Sequence, residues 1–300
     1  MLSRRQKHIL LKFFSLFSVV RGYNILVVVI AQYLASVYIF ANHIPVKSVL
    51  LDINLLMLVL SSSATIAAGY IINNFYDSEK DLINRPQKTM LDRLVSQNTK
   101  LSFYFILNFF ALVFASYVSF KAVVFFALYI FAIWFYSHRL KKQPMVGNIV
   151  SAVLTVTPFF AIFIYYRNFE MVVFGHAIFL FLLISMRELI KDLENIKGDL
   201  ALNYRTVPVV HGERITKMML SIVAILTILS AIVLILFFDI GHMYIFFYLC
   251  IILLLIFLLV LWKSEKKTHY LLLHNMLKFI IVAGVFSILL IDVSIVLNRI

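Results

Sequence analysis

About nine apolar runs, each close to the roughly 20 residues a helix needs to cross a bilayer, fill most of this chain. They fall at 22–41, 53–74, 101–120, 122–137, 148–166, 171–190, 216–238, 243–262 and 275–297. With 63% hydrophobic and only 14% charged residues, the chain carries more apolar surface than a soluble core can bury. The expected fold class is therefore all-α: a polytopic membrane protein with about nine transmembrane helices. The third and fourth runs are separated only by "SFKA", which predicts a tight helical hairpin.

Charge placement tests that count independently. Most of the 27 lysines and arginines fall in the N-terminal segment and in the connections after the second, fourth, sixth and eighth runs. Under the positive-inside rule this alternation puts the N-terminus in the cytoplasm and the C-terminus outside. Lys278 is read as starting the last helix from the inner side. Residues 1–20 have a basic start and no small-residue cleavage site, so they read as a retained cytoplasmic arm. Eight glycines and five prolines leave no low-complexity linker, and 1–300 reads as one domain. The formal charge of +13 fits topology, membrane lipids and anionic ligands rather than nucleic acid. The expected location is the plasma (inner) membrane, with long polar connections at 75–100 and 190–215 on the cytoplasmic side. The lone Cys250 lies in an apolar run and supports neither a disulfide nor a thiolate metal site.

Two apolar runs close on acidic clusters, "NNFYDSEKD" (73–81) and "RELIKDLENIKGD" (187–199). On a helix, Asn73, Asp77 and Asp81 share an arc of roughly 80°, and Asp192, Asn195 and Asp199 one of roughly 60°. Glu188 lies one turn deeper on that second side. A single carboxylate here would pass as an interfacial cap, but the repeated pattern beside basic loops points to a shared site. Hard oxygen donors of this kind suit Mg²⁺ together with waters and phosphate oxygens. An organic diphosphate and two Mg²⁺ would leave the site negative, an excess that Arg85, Lys88, Lys141 and Arg205 can offset. A faint echo between "DLINRP" and "DLALNYRTVP" hints at two related halves.

The first cluster resembles the NDxxDxxxD motif of the UbiA superfamily of intramembrane prenyltransferases, and "KDLENIKGD" resembles that family's KDxxDxxGD motif. "RGYN" at the first helix and "YSHRLKKQPMVGN" (136–148) are further matches, so the resemblance runs from the first helix to residue 212. It implies Mg²⁺-dependent transfer of an isoprenoid chain from an allylic prenyl diphosphate to an acceptor in the membrane. It implies metal binding and catalysis by Asp77, Asp81, Asp192 and Asp199, with Asn73 and Asn195 as auxiliary oxygens. Lys141 and Tyr136 go to the diphosphate by resemblance and loop position. Arg85, Lys88 and Arg205 are weaker candidates for the same role. Arg21 and Asn24 sit at the mouth of the first helix, where anchoring and substrate contact are both open. Asn74 and Asn195 replace aspartates of the family pattern, each keeping an oxygen and losing a charge.

The segment 187–212 looks most like the branch acting on geranylgeranylglyceryl phosphate. Aromatic acceptors such as dihydroxynaphthoate or hydroxybenzoate, as in quinone synthesis, remain open. A transporter would also use intramembrane carboxylates, but the outer half of this chain has almost no charged helix positions to complete a route. His138, His211 and His274 read as packing or water contacts rather than bases.

Overall fold

The computed structural model describes residues 14–293; residues 1–13 of the expected arm, and 294–297 of the last expected run, lie outside that range. Among the described residues there are nine helices long and apolar enough to cross a membrane, and no strand. The helices are α1 (Gly22–Ala35, continuing as a π turn Ser36–Phe40), α2 (Val46–Leu50), α3 (Ile53–Asn84) and α4 (Pro86–Asp92). They continue as α5 (Gln97–Val118), α6 (Phe120–His138), α7 (Val146–Tyr166) and α8 (Met171–Ala201). The set closes with α9 (Val207–Phe237), α10 (Tyr244–Lys263) and α11 (Lys267–Ser287).

Local chemistry explains where these helices begin. Asp52, Ser96 and Ser119 each accept from a backbone N–H of the following first turn, at 2.9, 3.2 and 3.1 Å, which satisfies donors the helix itself cannot. Ser119 is the whole α5–α6 connection, so the hairpin is tighter than "SFKA" suggested. Pro158 sits inside α7 and has no N–H for the carbonyl of Leu154. The Tyr129 hydroxyl donates to that carbonyl at 2.8 Å, so the helix crosses without an orphaned acceptor.

In lipid, helices associate through close packing more than through the hydrophobic effect. Accordingly α3 buries Ser61, Ser62, Ala64, Ala67 and Ala68, and its neighbour α5 buries Ala111 and Ala115. A second, larger core gathers α8, α9, α10 and α11, with Leu183, Ile190, Leu220, Phe247, Phe257 and Leu277 nearly inaccessible.

The structure corrects the helix limits. The stretches 75–100 and 190–215 are mostly helical: α3 runs on to Asn84 and α8 to Ala201, leaving short connections. Hydropathy stops where polar residues begin, but here those residues face a shared interior while Leu189, Ile190 and Leu193 keep the opposite face of α8 buried. Likewise α11 starts at Lys267 and not near 275. Lys278 therefore lies halfway along it, about 16 Å from its start at 1.5 Å per residue.

Candidate active site

The polar ends of α3 and α8 meet at Asn84 and Gly198. Asn84 Oδ1 accepts from the Gly198 N–H at 3.1 Å, and its Nδ2 donates to the Asn195 carbonyl at 3.3 Å. A Cβ on residue 198 would stand 2.3 Å from Asn84 Nδ2, so only glycine permits this approach. The crossing sets the two acidic faces against each other.

The third contribution comes from the α6–α7 connection. Gly147 packs so closely that a Cβ would lie 3.1 Å from the Leu140 carbonyl oxygen and 3.2 Å from Lys141 Cα. This tight turn directs Lys141 inward, where it is buried. Its Nζ pairs with Asp77 Oδ1 at 2.8 Å and donates to Asn73 Oδ1 at 3.3 Å.

Around this point closes a polar cavity of about 30 Å³, room for roughly one water. Asn73, Asp77, Tyr136, Lys141, Asp192 and Asn195 line it, together with Lys80, Gly147, Asn148, Glu188, Lys191 and Thr206. Three carboxylates and three ammonium groups thus face one another. Asp192 accepts from Asn148 Nδ2 at 2.7 Å, and Glu188 is held by Arg187 and Lys191, each at 2.8 Å. Lys80 bridges Asp77 at 3.7 Å and Asp199 at 3.3 Å. Asp199 sits just behind the lining, with Oδ2 accepting from Thr206 at 3.1 Å and Oδ1 lacking an aligned hydrogen bond. Tyr204, on the α8–α9 connection, donates to Asp77 Oδ1 at 3.3 Å. Burial, reinforced by the Asp77 charge, raises its phenol above the ordinary value, so it stays protonated.

Other residues singled out in the sequence lie around this centre rather than in it. Asp81 is half-buried on the side of Arg21 and Arg85 and makes no ion pair within 4 Å among the described residues. Arg85 is engaged by Glu194 at 2.8 Å. Lys88 is half-buried on α4, its ammonium destabilised first by burial and then by Arg21. Arg205 is exposed. Arg21 lies over the Tyr70 ring, 5.0 Å from its centroid, and Asn24 Nδ2 donates to the Tyr70 hydroxyl at 3.1 Å, an anchoring arrangement. His274 meets Glu194 at 2.7 Å. Asn74 faces away from the cavity: its amide donates to Asp92 at 3.2 Å and accepts from Lys100 at 2.9 Å.

Lys80, Lys191 and Thr206 went unassigned in the sequence. The signal for the two lysines is helical spacing: Lys80 follows Asp77 by three residues and Lys191 follows Glu188 by three, each on its partner's side of the helix. Basic residues near a membrane face look like topology signals, and that masked them.

The donor set suits Mg²⁺. All candidate ligands are oxygen, and Asp77 and Asp192 with two amides match the one or two carboxylates such sites use. No three of His, Cys, Asp and Glu converge on one point among the described residues, so waters or phosphate oxygens would complete any coordination sphere.

An all-helical membrane bundle with two facing acidic helix ends and inward lysines defines the class. The sequence model of the UbiA prenyltransferase family matches residues 17–293, and the chain belongs to that family. Among its relatives, digeranylgeranylglyceryl phosphate synthase of Thermococcus sibiricus is 32% identical over 169 residues, 55% of this chain and 58% of the relative. The synthase of Pyrococcus horikoshii is 30% identical over 217 residues, covering 71% and 74%. The chain thus spans less than two thirds of the first relative's length. A solved digeranylgeranylglyceryl phosphate synthase superposes with a TM-score of 0.69 at 21% identity, over 92% of this chain and 97% of that one. A UbiA homolog from Archaeoglobus fulgidus bound to GPP and Mg²⁺ gives 0.67 at 14% identity, over 91% and 99%. Both likenesses concern the fold.

Proposed function

We propose that this protein transfers a prenyl group from an allylic diphosphate to an acceptor within the membrane, with geranylgeranylglyceryl phosphate as the acceptor. The observation that carries the reading is the convergence of Asp77 on α3, Asp192 on α8 and Lys141 on the α6–α7 connection on one oxygen-rich cavity. The relatives bearing the synthase name support the acceptor. In this reading the site faces the cytoplasm at the plasma membrane, which the distribution of basic residues supports.

Asp77 and Asp192, with Asn73 and Asn195, would hold Mg²⁺ at the cavity, and Asp81 and Asp199 at its margin are proposed as further oxygen donors. When bound, the metal would supply positive charge to stabilise the leaving diphosphate. The chain's own work is carried by its lysines. Lys80 and Lys141, counter-ions of Asp77 here, become donors to the diphosphate once those carboxylates have another partner. Tyr136 on the cavity wall keeps its place beside the same group. As the C1–O bond breaks, its electron pair leaves on the diphosphate, and lysine charge stabilises that developing anion. The allylic cation is captured by the acceptor hydroxyl oxygen, which then loses its proton to solvent or a carboxylate. Apolar helix faces exclude water that would otherwise capture the cation.

The test uses purified protein, labelled geranylgeranyl diphosphate and Mg²⁺. The acceptors are geranylgeranylglyceryl phosphate, dihydroxynaphthoate and hydroxybenzoate, with EDTA and Asp77→Asn as controls. A Mg²⁺-dependent ether product lost in the variant is expected. A prenylated aromatic ring instead would replace the acceptor. Folded protein that binds no prenyl diphosphate of any chain length would end the transferase reading.

A further inference from the structure

The seam between α8 and α11 carries charges that the acidic cavity does not use. These helices run antiparallel and touch near the cytoplasmic side, where His274 meets Glu194 at 2.7 Å. Moving outward on the same helix faces, α8 presents Arg187 and α11 presents Lys278. They stand about 10 Å and 6 Å beyond that contact at 1.5 Å per residue. Lys278 makes no ion pair within 4 Å among the described residues and is exposed halfway along a spanning helix. An unpaired charge on a membrane-spanning helix is costly, and a bound anion would offset that cost. Arg187 gives one arm to Glu188 at 2.8 Å, and its buried Nε has no partner. Arg187 and Arg85 already have carboxylate partners, Glu188 and Glu194, each at 2.8 Å, which leaves Lys278 as the uncompensated charge. The seam therefore holds excess positive charge.

One turn further out, the same two faces change character. Leu183 and Leu180 follow Arg187 on α8, and Ile281 and Val285 follow Lys278 on α11. With Ala31 and Ala35 of α1 they help line an apolar chamber of about 140 Å³. Two cations placed by helix register about one turn from an apolar chamber form the complement of an amphiphile.

We propose that this seam is a second binding site, for a lipid whose phosphate lies between Arg187 and Lys278 and whose hydrocarbon tail enters the chamber. The Arg187–Glu188 pair forms the wall it shares with the acidic cavity, since Glu188 lines that cavity. A phosphate-bearing acceptor held here would stand beside the prenyl diphosphate, and a neutral aromatic acceptor would leave both cations unanswered. Assigning the lipid as the acceptor rests on the transferase reading; the site itself does not.

The experiment measures binding of labelled hexadecylglyceryl phosphate to the full-length protein in detergent, with competition by uncharged hexadecylglycerol and by phosphatidylglycerol. A charge-assisted contact predicts that the phosphate ether binds about tenfold tighter than the uncharged ether. Lys278→Met should abolish that preference, Lys278→Arg should keep it, and both should bind prenyl diphosphate as the parent does. Equal binding of charged and uncharged ethers, or a preference that survives Lys278→Met, would overturn the proposal. Competition by phosphatidylglycerol as strong as that by the phosphate ether keeps the site and assigns it to bulk membrane lipid. Prenyl diphosphate binding, and its loss in Asp77→Asn, is scored separately, so failure of the transferase reading is distinguishable from failure of this one.

Discussion

Asn84 closes over Gly198 with both ends of its amide, accepting from the Gly198 N–H at 3.1 Å and donating to the Asn195 carbonyl at 3.3 Å. The glycine and the amide together fix how near the two acidic helices come. Gly198→Ala places a methyl 2.3 Å from Asn84 Nδ2, so the amide must leave and both hydrogen bonds break. The expected cost is about 1–3 kcal/mol of stability, read as a lower melting temperature in detergent, with activity falling further than stability. Gly198→Ala combined with Asn84→Ala should recover part of the stability, because the clash is gone, without recovering activity. Equal recovery of both would show that the crossing does not set the site's geometry.

The ion pair between Lys141 and Asp77 yields a second expectation. Both side chains are at least nine-tenths buried, so removing one leaves the other charge poorly compensated, at about 3–5 kcal/mol. Lys141→Met and Asp77→Asn should each destabilise the protein and lower transfer by a factor of about 100 or more. The double variant removes both charges and should melt closer to the parent while remaining inactive. A double variant as unstable as the worse single would mean that the pair is not the relevant interaction.

Asn74 stands where the family pattern carries aspartate, and its geometry explains why an amide works there. It donates to Asp92 and accepts from Lys100; a carboxylate could not do the first. Asp92 also accepts from Ser18 at 3.1 Å, so this carboxylate docks α4 and the segment before α1 onto α3. Asn74→Asp puts two carboxylates about 3 Å apart and should loosen α4, seen as faster proteolysis in 85–96. Asp92→Asn deprives buried Lys100 of its nearby negative charge and should do the same. The exchange Asn74→Asp with Asp92→Asn restores one carboxylate, one amide and one lysine, and should return proteolysis to the parental rate. Failure of that rescue would refute the docking role.

Much of this architecture was legible in the sequence because its two strongest signals are physical. Apolar length counted the spans, and the two acidic periods placed Asp77 and Asp192 on facing interior surfaces. The echo between "DLINRP" and "DLALNYRTVP" corresponds to two acidic helices that are each followed by a helix with proline in its first turn, at Pro86 and Pro208. What escaped was set by tertiary contact. Lys80 and Lys191 read as topology charges, yet both turn inward to neutralise carboxylates. Arg85 read as a diphosphate contact, but Glu194 on another helix engages it. Lys278 read as the start of a helix because hydropathy averages over polar turns that the folded helix simply continues through.

Charge balance in the cavity yields the last prediction. Asp77, Glu188 and Asp192 face Lys80, Lys141 and Lys191, so the formal charges of the lining cancel without a metal. The fold should then be indifferent to Mg²⁺: EDTA should leave the melting temperature essentially unchanged while abolishing transfer. A cation arriving alone must compete with three ammonium groups for the carboxylates and should bind weakly. A diphosphate arriving with it gives those lysines another partner, so the two ligands should bind cooperatively, each raising the affinity of the other by about 5- to 150-fold. Titration calorimetry with Mg²⁺, with a non-hydrolysable prenyl diphosphate analogue, and with each in the presence of the other measures that coupling. Independent binding of the two would show that the lysines do not pass from carboxylate to phosphate, and would remove the central step of the proposed mechanism.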